Sequence, residues 1–203
     1  MAYPSLNPIE LIPADRVEQA IQEEFASLNF RPTAVVIALT HDESSPKHAS
    51  EVVLVKSTRD GDGDRERLFW LPQGGIKRGE SPQEAGSREL HEEVFGILPT
   101  TASDFTILGA IRVEQDMRER DDEDEKFTVG KLLVAKYAIV STPGVSPNPE
   151  ENIAEAILSP IPNARLILRA NAISKQKRSI KSAFEIMMID EALKILRGSE
   201  PTA

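Results

Sequence analysis

Three glutamates, Glu89, Glu92 and Glu93, stand at i, i+3 and i+4, directly after Arg88. On a helix that spacing puts all three carboxylates on one face. Like charges there repel, so a helix carrying them loses stability unless something positive sits between them. A hard divalent cation meets that need, since magnesium takes oxygen ligands in an octahedron and shares them with substrate phosphates. Ions held in this way polarise a phosphoryl oxygen, lower the pKa of a bound water and neutralise a leaving phosphate. A solvated acidic face is the plainer alternative for a glutamate-rich stretch, and the neighbouring residues argue against it.

Those neighbours are the elements that must hold the carboxylates in place. Ser81-Pro82-Gln83-Glu84 reads as a capping box with proline at the first helical position. Ala85, Leu90 and Val94 fall where they can face inward while the glutamates face a cleft. Upstream, the glycines of Pro72-Gln73-Gly74-Gly75 let backbone approach a ligand closely. The whole stretch at 74–97, GGIKRGESPQEAGSRELHEEVFGI, resembles the Nudix box, G-x5-E-x7-R-E-U-x-E-E-x-G-U with U aliphatic. Gly74, Glu80, Arg88, Glu89, Leu90, Glu92 and Glu93 occupy its positions without a gap.

The resemblance implies an enzyme that uses Mg2+ or Mn2+ to hydrolyse a pyrophosphate bond in a nucleoside diphosphate linked to another group. It implies Glu89, Glu92, Glu93 and the Gly74 carbonyl as metal ligands, and Glu92 and Glu93 as catalytic groups. Arg88 is expected to brace the loop-helix-loop through Glu80. His91 falls two residues after Glu89 and so points away from the ligand face. The pattern calls for glycine two residues after the paired glutamates, whereas Val94-Phe95-Gly96 places it three after. That predicts a helix one residue longer, terminated by a left-handed Gly96 and ended by Pro99.

Two further features look like one branch of the family, the RNA 5′-pyrophosphohydrolases and diadenosine polyphosphate hydrolases. These are Phe30-Arg31-Pro32 before an apolar run and the Pro72-Gln73-Gly74-Gly75 loop. By that resemblance Arg31 lies near the substrate phosphates, with Gln73 and Gly75 beside it; a surface salt bridge is the alternative for Arg31. Glu150, Glu151 and Glu155 lie where many members carry a late acidic residue that reaches the metals or activates water. Glu155, just ahead of a short apolar segment, is the one chosen. Phe69-Trp70-Leu71 departs from the aromatic pattern that the branch often carries before the loop. The expected substrate is a nucleotide-type small molecule, a dinucleoside polyphosphate or similar compound. An RNA 5′ end is the alternative, and a non-catalytic nucleotide sensor the third reading. Such sensors commonly lose box glutamates, and this chain keeps all of them.

Composition agrees with a small anionic substrate rather than a long one. The 203 residues carry a net charge of −9, which disfavours broad attraction to nucleic acid or to membrane. No cysteine is present, so thiolate metal sites and disulfides are excluded. The first residues lack the basic start and apolar core of a signal peptide, and no apolar run approaches a membrane span. A cytoplasmic protein is therefore expected.

The chain is expected to divide into an N-terminal helical extension at 1–29, a hydrolase domain at 30–198 and a tail at 199–203. In the extension, Asp15-Arg16-Val17-Glu18 reads as a capping box opening a helix with Val17, Ile21, Phe25 and Leu28 on one face. This arm would cover either a sheet edge or the seam of a homodimer. Strands are expected at 33–39, 51–56, 68–71, 105–113, 127–140 and 153–158, and a final helix at 179–196 with Ile180, Phe184, Met187, Met188 and Leu196 in its apolar surface. The Asp-Gly-rich stretch at 59–64 reads as a solvated hairpin loop rather than a calcium site, and the acidic run at 119–125 as a solvated loop. Strands around a box helix, closed by a terminal helix, suggest an α/β class, a Nudix-type α/β/α sandwich with a mixed sheet plus an added N-terminal helix.

Overall fold

Residues 34–39 of strand β2 (Phe30–Asp42) are fully buried, each with 0% exposure. Such a run, apolar on both faces, suits a central strand covered by helices on either side. In the computed structural model, which describes residues 10–42, 45–57, 69–98, 100–114, 127–174 and 179–198, that is its place. The hairpin loop at 59–64, the acidic run at 119–125, Pro99 and the tail at 199–203 lie outside the described residues.

The remaining strands are β1 (Ile12–Pro13), β3 (Ser45–Ser57), β4 (Phe69–Trp70), β5 (Gln73–Gly75), β6 (Val94–Phe95), β7 (Thr106–Glu114), β8 (Gly130–Val140), β9 (Ser146–Pro147) and β10 (Ile153–Pro160). The helices are α1 (Val17–Ser27), α2 (Pro82–Glu93), α3 (Ile161–Ser174) and α4 (Ser179–Leu196). The main sheet runs β1-β7-β8-β2-β3-β10, with β4 on β3 and β5 on β2. It is mixed: β2 pairs with β8 in parallel and with β3 and β5 antiparallel. On one face, Val35, Ile37 and Leu39 pack with α3 and α4 through Leu168, Phe184 and Met188. On the other, Val36 and Ala38 meet Leu90 of α2, while Ala34 meets Val17, Ile21 and Phe25 of α1.

One edge of β2 is shared, and this builds the cleft. β3 pairs with the C-terminal part of β2 from Leu39, whereas β5 takes Thr33, Ala34 and Val35. The backbone of the glycine loop is thereby stitched into the sheet centre, with Val36 N donating to Pro72 O at 2.8 Å and Ile76 N to Pro32 O at 3.0 Å.

Several expectations change. The box helix does not run one residue longer: α2 ends at Glu93, and Val94 is extended at φ −133° and ψ 119°. Val94 and Phe95 pair instead with Pro147 and Ser146, and Asn148 donates to the terminal carbonyls, Nδ2 to Glu92 O at 2.6 Å and N to Glu93 O at 3.1 Å. Partners outside the helix thus satisfy its last carbonyls. Gly96 keeps a positive φ of 90°, but as the turn after β6, where a Cβ would meet Gly144 O at 2.2 Å.

At the other end of the chain, the Asp15 capping box is not formed. Ala14–Arg16 is a 3-10 turn following Pro13, so Asp15 lies inside it and Arg16 is the uncapped N-cap of α1. The arm covers a sheet edge, with Ile12 and Pro13 paired to Ala110 and Gly109 of β7. Buried Glu24 fastens it by accepting from Arg112 Nε at 2.6 Å and Phe30 N at 3.0 Å. Val17, Ile21 and Phe25 are buried as expected, whereas Leu28 is half-buried and closes α1 at φ 55°. Met187, expected in the apolar surface of α4, is 37% exposed on its outer side. Helix α3 was not anticipated. Its Ile161, Ala164 and Leu168 repeat at helical spacing just after the strand expected at 153–158.

Candidate active site

The capping box of α2 forms as its residues dictate: Glu84 N donates to Ser81 Oγ at 3.2 Å and Ser81 N to Glu84 Oε2 at 2.8 Å. Ala85 and Leu90 are fully buried beneath the helix, so its opposite face carries the glutamates to the glycine loop. Arg88 joins the parts. Its Nε and Nη2 donate to the two oxygens of Glu80 at 2.8 and 2.9 Å, and Nη2 also reaches Gly75 O at 2.8 Å. Nη1 donates to Glu89 Oε1 at 2.6 Å and Glu92 Oε2 at 3.0 Å. This planar fork is geometry that lysine could not supply. Hydrogen bonds to Glu80 are the main cause of a guanidinium pKa raised above its ordinary value. Burial pushes Glu80 up, but the bonds from Arg88 and the Lys77 amide outweigh it and leave the carboxyl below its usual range.

The other carboxyls go the opposite way. Burial raises Glu89 despite Arg88, with Glu92 and Glu80 adding repulsion. Burial also raises Glu93, to about 8, although the Gln73 amide donates to its Oε2 at 3.0 Å. Gly74 makes room for this packing: a Cβ there would lie 1.9 Å from Glu89 Oε2. The Arg31 guanidinium lies against Gly75, where a Cβ would come within 2.6 Å of its Nη2.

The structure therefore brings together Gly74, Gly75, Gln73, Arg31, Arg88, Glu89, Glu92 and Glu93. Glu155 is engaged elsewhere, half-exposed on β10 with an oxygen 2.7 Å from Lys56 Nζ. The late acidic residue whose charge is felt at Glu93 is Glu151, at the end of the 3-10 turn Pro149–Glu151. His91 points away from the cluster, as expected, its Nε2 accepting from the Thr100 amide at 3.0 Å.

Two lysines escaped the sequence reading. Lys181 of α4 exerts its charge on Glu93, and its Nζ sits 5.6 Å from the centre of the Trp70 ring. No local pattern signals it, because α4 lies far from the box in sequence. Lys136 of β8 is fully buried under α2, where its Nζ donates to the Pro82 carbonyl, and burial lowers its pKa to about 7. A lysine inside the apolar run of β8 was the available signal.

The donor chemistry fits a hard divalent cation: desolvated carboxylates on one helix face beside loop backbone, two of them with raised pKa. Among the described residues no three His, Asp or Glu side chains are already gathered so as to hold an ion. Arg88 holds Glu89 and Glu92, and the Gln73 amide holds Glu93, so a cation would compete for these carboxylates.

The comparisons bear on this geometry. The NUDIX domain model matches residues 30–178. Similar solved structures include MutT from a study of Aliivibrio salmonicida and Vibrio cholerae (18% identity, 66% of this chain and 83% of that one, TM-score 0.42). Another is a NUDIX hydrolase from Nitrosomonas europaea (19% identity, 68% and 78%, TM-score 0.44). A third, described as a possible asymmetric diadenosine tetraphosphate hydrolase, comes from Jonesia denitrificans (16% identity, 77% and 96%, TM-score 0.45). With the family match spanning most of the chain, and Glu80, Glu89, Glu92 and Gly75 gathered around Arg88, the chain belongs to the NUDIX family and is a Nudix hydrolase.

Proposed function

We propose that this hydrolase cleaves a pyrophosphate linkage in a dinucleoside polyphosphate or similar nucleoside diphosphate derivative. Glu89, Glu92, Glu93 and the Gly74 carbonyl would hold Mg2+ or Mn2+. The family generally acts on nucleoside diphosphate derivatives and generally needs such cations. The observation that carries the reading is the desolvated carboxylate cluster, whose charged forms are unfavourable without a cation. A bound divalent ion supplies charge neutralisation at phosphoryl oxygens and acidifies water.

The chain's own residues do the rest. Arg88 fixes the glycine loop against α2 through Glu80 and Gly75 O, which sets the distance between loop backbone and carboxylates. Arg31, on β2 beside the loop, offers a guanidinium to phosphate oxygens. The Gln73 amide orients Glu93, whose other oxygen can take a proton from the attacking water. Glu151, rather than Glu155, is the late acidic residue supporting it.

The test is hydrolysis of diadenosine tetraphosphate with Mg2+ or Mn2+, for wild type and Glu93→Gln. Wild type should release nucleotides only with the cation present. The variant should lose at least about 100-fold in turnover, the usual scale for removing a general base. Equal turnover in the two proteins would refute the role of Glu93.

A further inference from the structure

Glu185 of α4 is a carboxyl that the hydrolytic site does not account for. It is 1% exposed, and its Oε1 has no hydrogen-bond partner among the described residues. The nearest opposite charge is Lys181, one turn earlier, with Nζ at 3.6 Å from that oxygen. This is longer than a direct N–H···O bond. A buried ion pair with such loose geometry is a poor source of stability, because desolvation of the carboxylate is not repaid by a tight contact. What the pair does is bias where a cation rests. Lys181 has the buried Glu185 carboxyl on one side and the face of Trp70 on the other, while its side chain stays 27% exposed. Trp70 lies on β4, just before the Pro72–Gly75 loop, and packs against the group of side chains that includes Leu90 of α2 and Val94 of β6, so the ammonium sits beside the end of the helix that carries the carboxylates.

The site also needs such a group. Arg88 spends its donors on Glu80, Glu89, Glu92 and Gly75 O, so it has none left to offer a polyphosphate. We propose that Lys181 is a substrate-binding residue: its ammonium, parked between Glu185 and Trp70, contacts non-bridging oxygens of the phosphate chain that occupies the site. Glu185 is its positioning residue. The inference rests on the hydrolase reading given above and names the α4 wall as part of the phosphate site.

The probe is inorganic tripolyphosphate, which carries the charge without a base. Its affinity is measured by isothermal titration, with and without Mg2+, for wild type, Lys181→Met and Lys181→Arg. The single tryptophan of the chain, Trp70, reports locally through its emission. Loss of one charge-assisted contact should weaken binding about tenfold in Lys181→Met, with Lys181→Arg within about threefold of wild type. Tripolyphosphate should also perturb Trp70 emission in wild type. Equal affinity in wild type and Lys181→Met would overturn the inference, and hydrolysis of diadenosine tetraphosphate by the same wild-type sample would show that the hydrolase reading still stands. Conversely, weakened binding in Lys181→Met from a wild type that hydrolyses no pyrophosphate-linked nucleotide would uphold Lys181 and sink the substrate reading.

Discussion

Lys136 illustrates how one residue can reveal the design of its surroundings. A glycine inside a helix costs about 1 kcal/mol relative to alanine. Gly86 nevertheless stands in the middle of α2, because a Cβ there would lie 2.5 Å from Lys136 Cδ. The lysine stem thus runs under the helix to reach the Pro82 carbonyl, tying the first turn of α2 to the sheet. Burial lowers its pKa to about 7 from an ordinary 10.5. Between those values the unfolded chain binds the proton and the folded chain does not, so this residue makes stability rise with pH across that window. Lys136→Met should remove that dependence and raise stability at pH 7 by roughly 1–4 kcal/mol, as apolar replacement of buried ionic groups often does. Urea unfolding of both proteins from pH 7 to 9 isolates the effect, since other titrations are common to the two. The difference in slope should approach about 1.4 kcal/mol per pH unit, and parallel curves would refute it.

At the scale of elements, the arm and the box loop are one assembly. Arg78 of the loop donates to Phe25 O at 2.9 Å and lies 5.0 Å over the Phe25 ring, which meets Phe127 edge-on at 6.1 Å. The structure thus gives Arg78 to α1. The loop between β5 and α2 is thereby clamped at both ends, by Arg88 inside and by α1 outside. Arg78→Ala should cost about 1–3 kcal/mol, the range for a hydrogen bond from a charged donor. It should also speed amide exchange at residues 76–80, measured by hydrogen–deuterium exchange. Unchanged exchange there would mean that the arm does not hold the loop.

Across the whole molecule, charge bears on the size of the substrate. A net charge of −9 repels an extended polyanion along its length, while a bound cation and a few basic groups offset only the phosphates at the reacting centre. Diadenosine tetraphosphate should therefore be cleaved with a kcat/KM at least equal to that for a short 5′-triphosphorylated RNA, compared at fixed salt. The RNA reaction should also gain when salt is raised, because screening relieves the repulsion. A clear preference for the RNA would reverse the substrate choice without touching the family. No helix among the described residues is long and apolar enough to cross a membrane.

What the sequence determined by itself is what covalent geometry repeats locally. The i, i+3, i+4 glutamates, the Ser81–Glu84 cap and the buried run of β2 follow from helical and strand periods, and α4 spans the residues its pattern gave. The Arg88–Glu80 brace was legible because both groups belong to one short motif. Tertiary structure alone decided the rest. That Glu155 pairs with Lys56, that α2 stops at Glu93 because β9 and Asn148 meet it, and that Lys181 of α4 lies over Trp70 of β4 all depend on segments distant in sequence. No period links such residues, since their meeting is set by the order of strands in the sheet and by which helix covers which face.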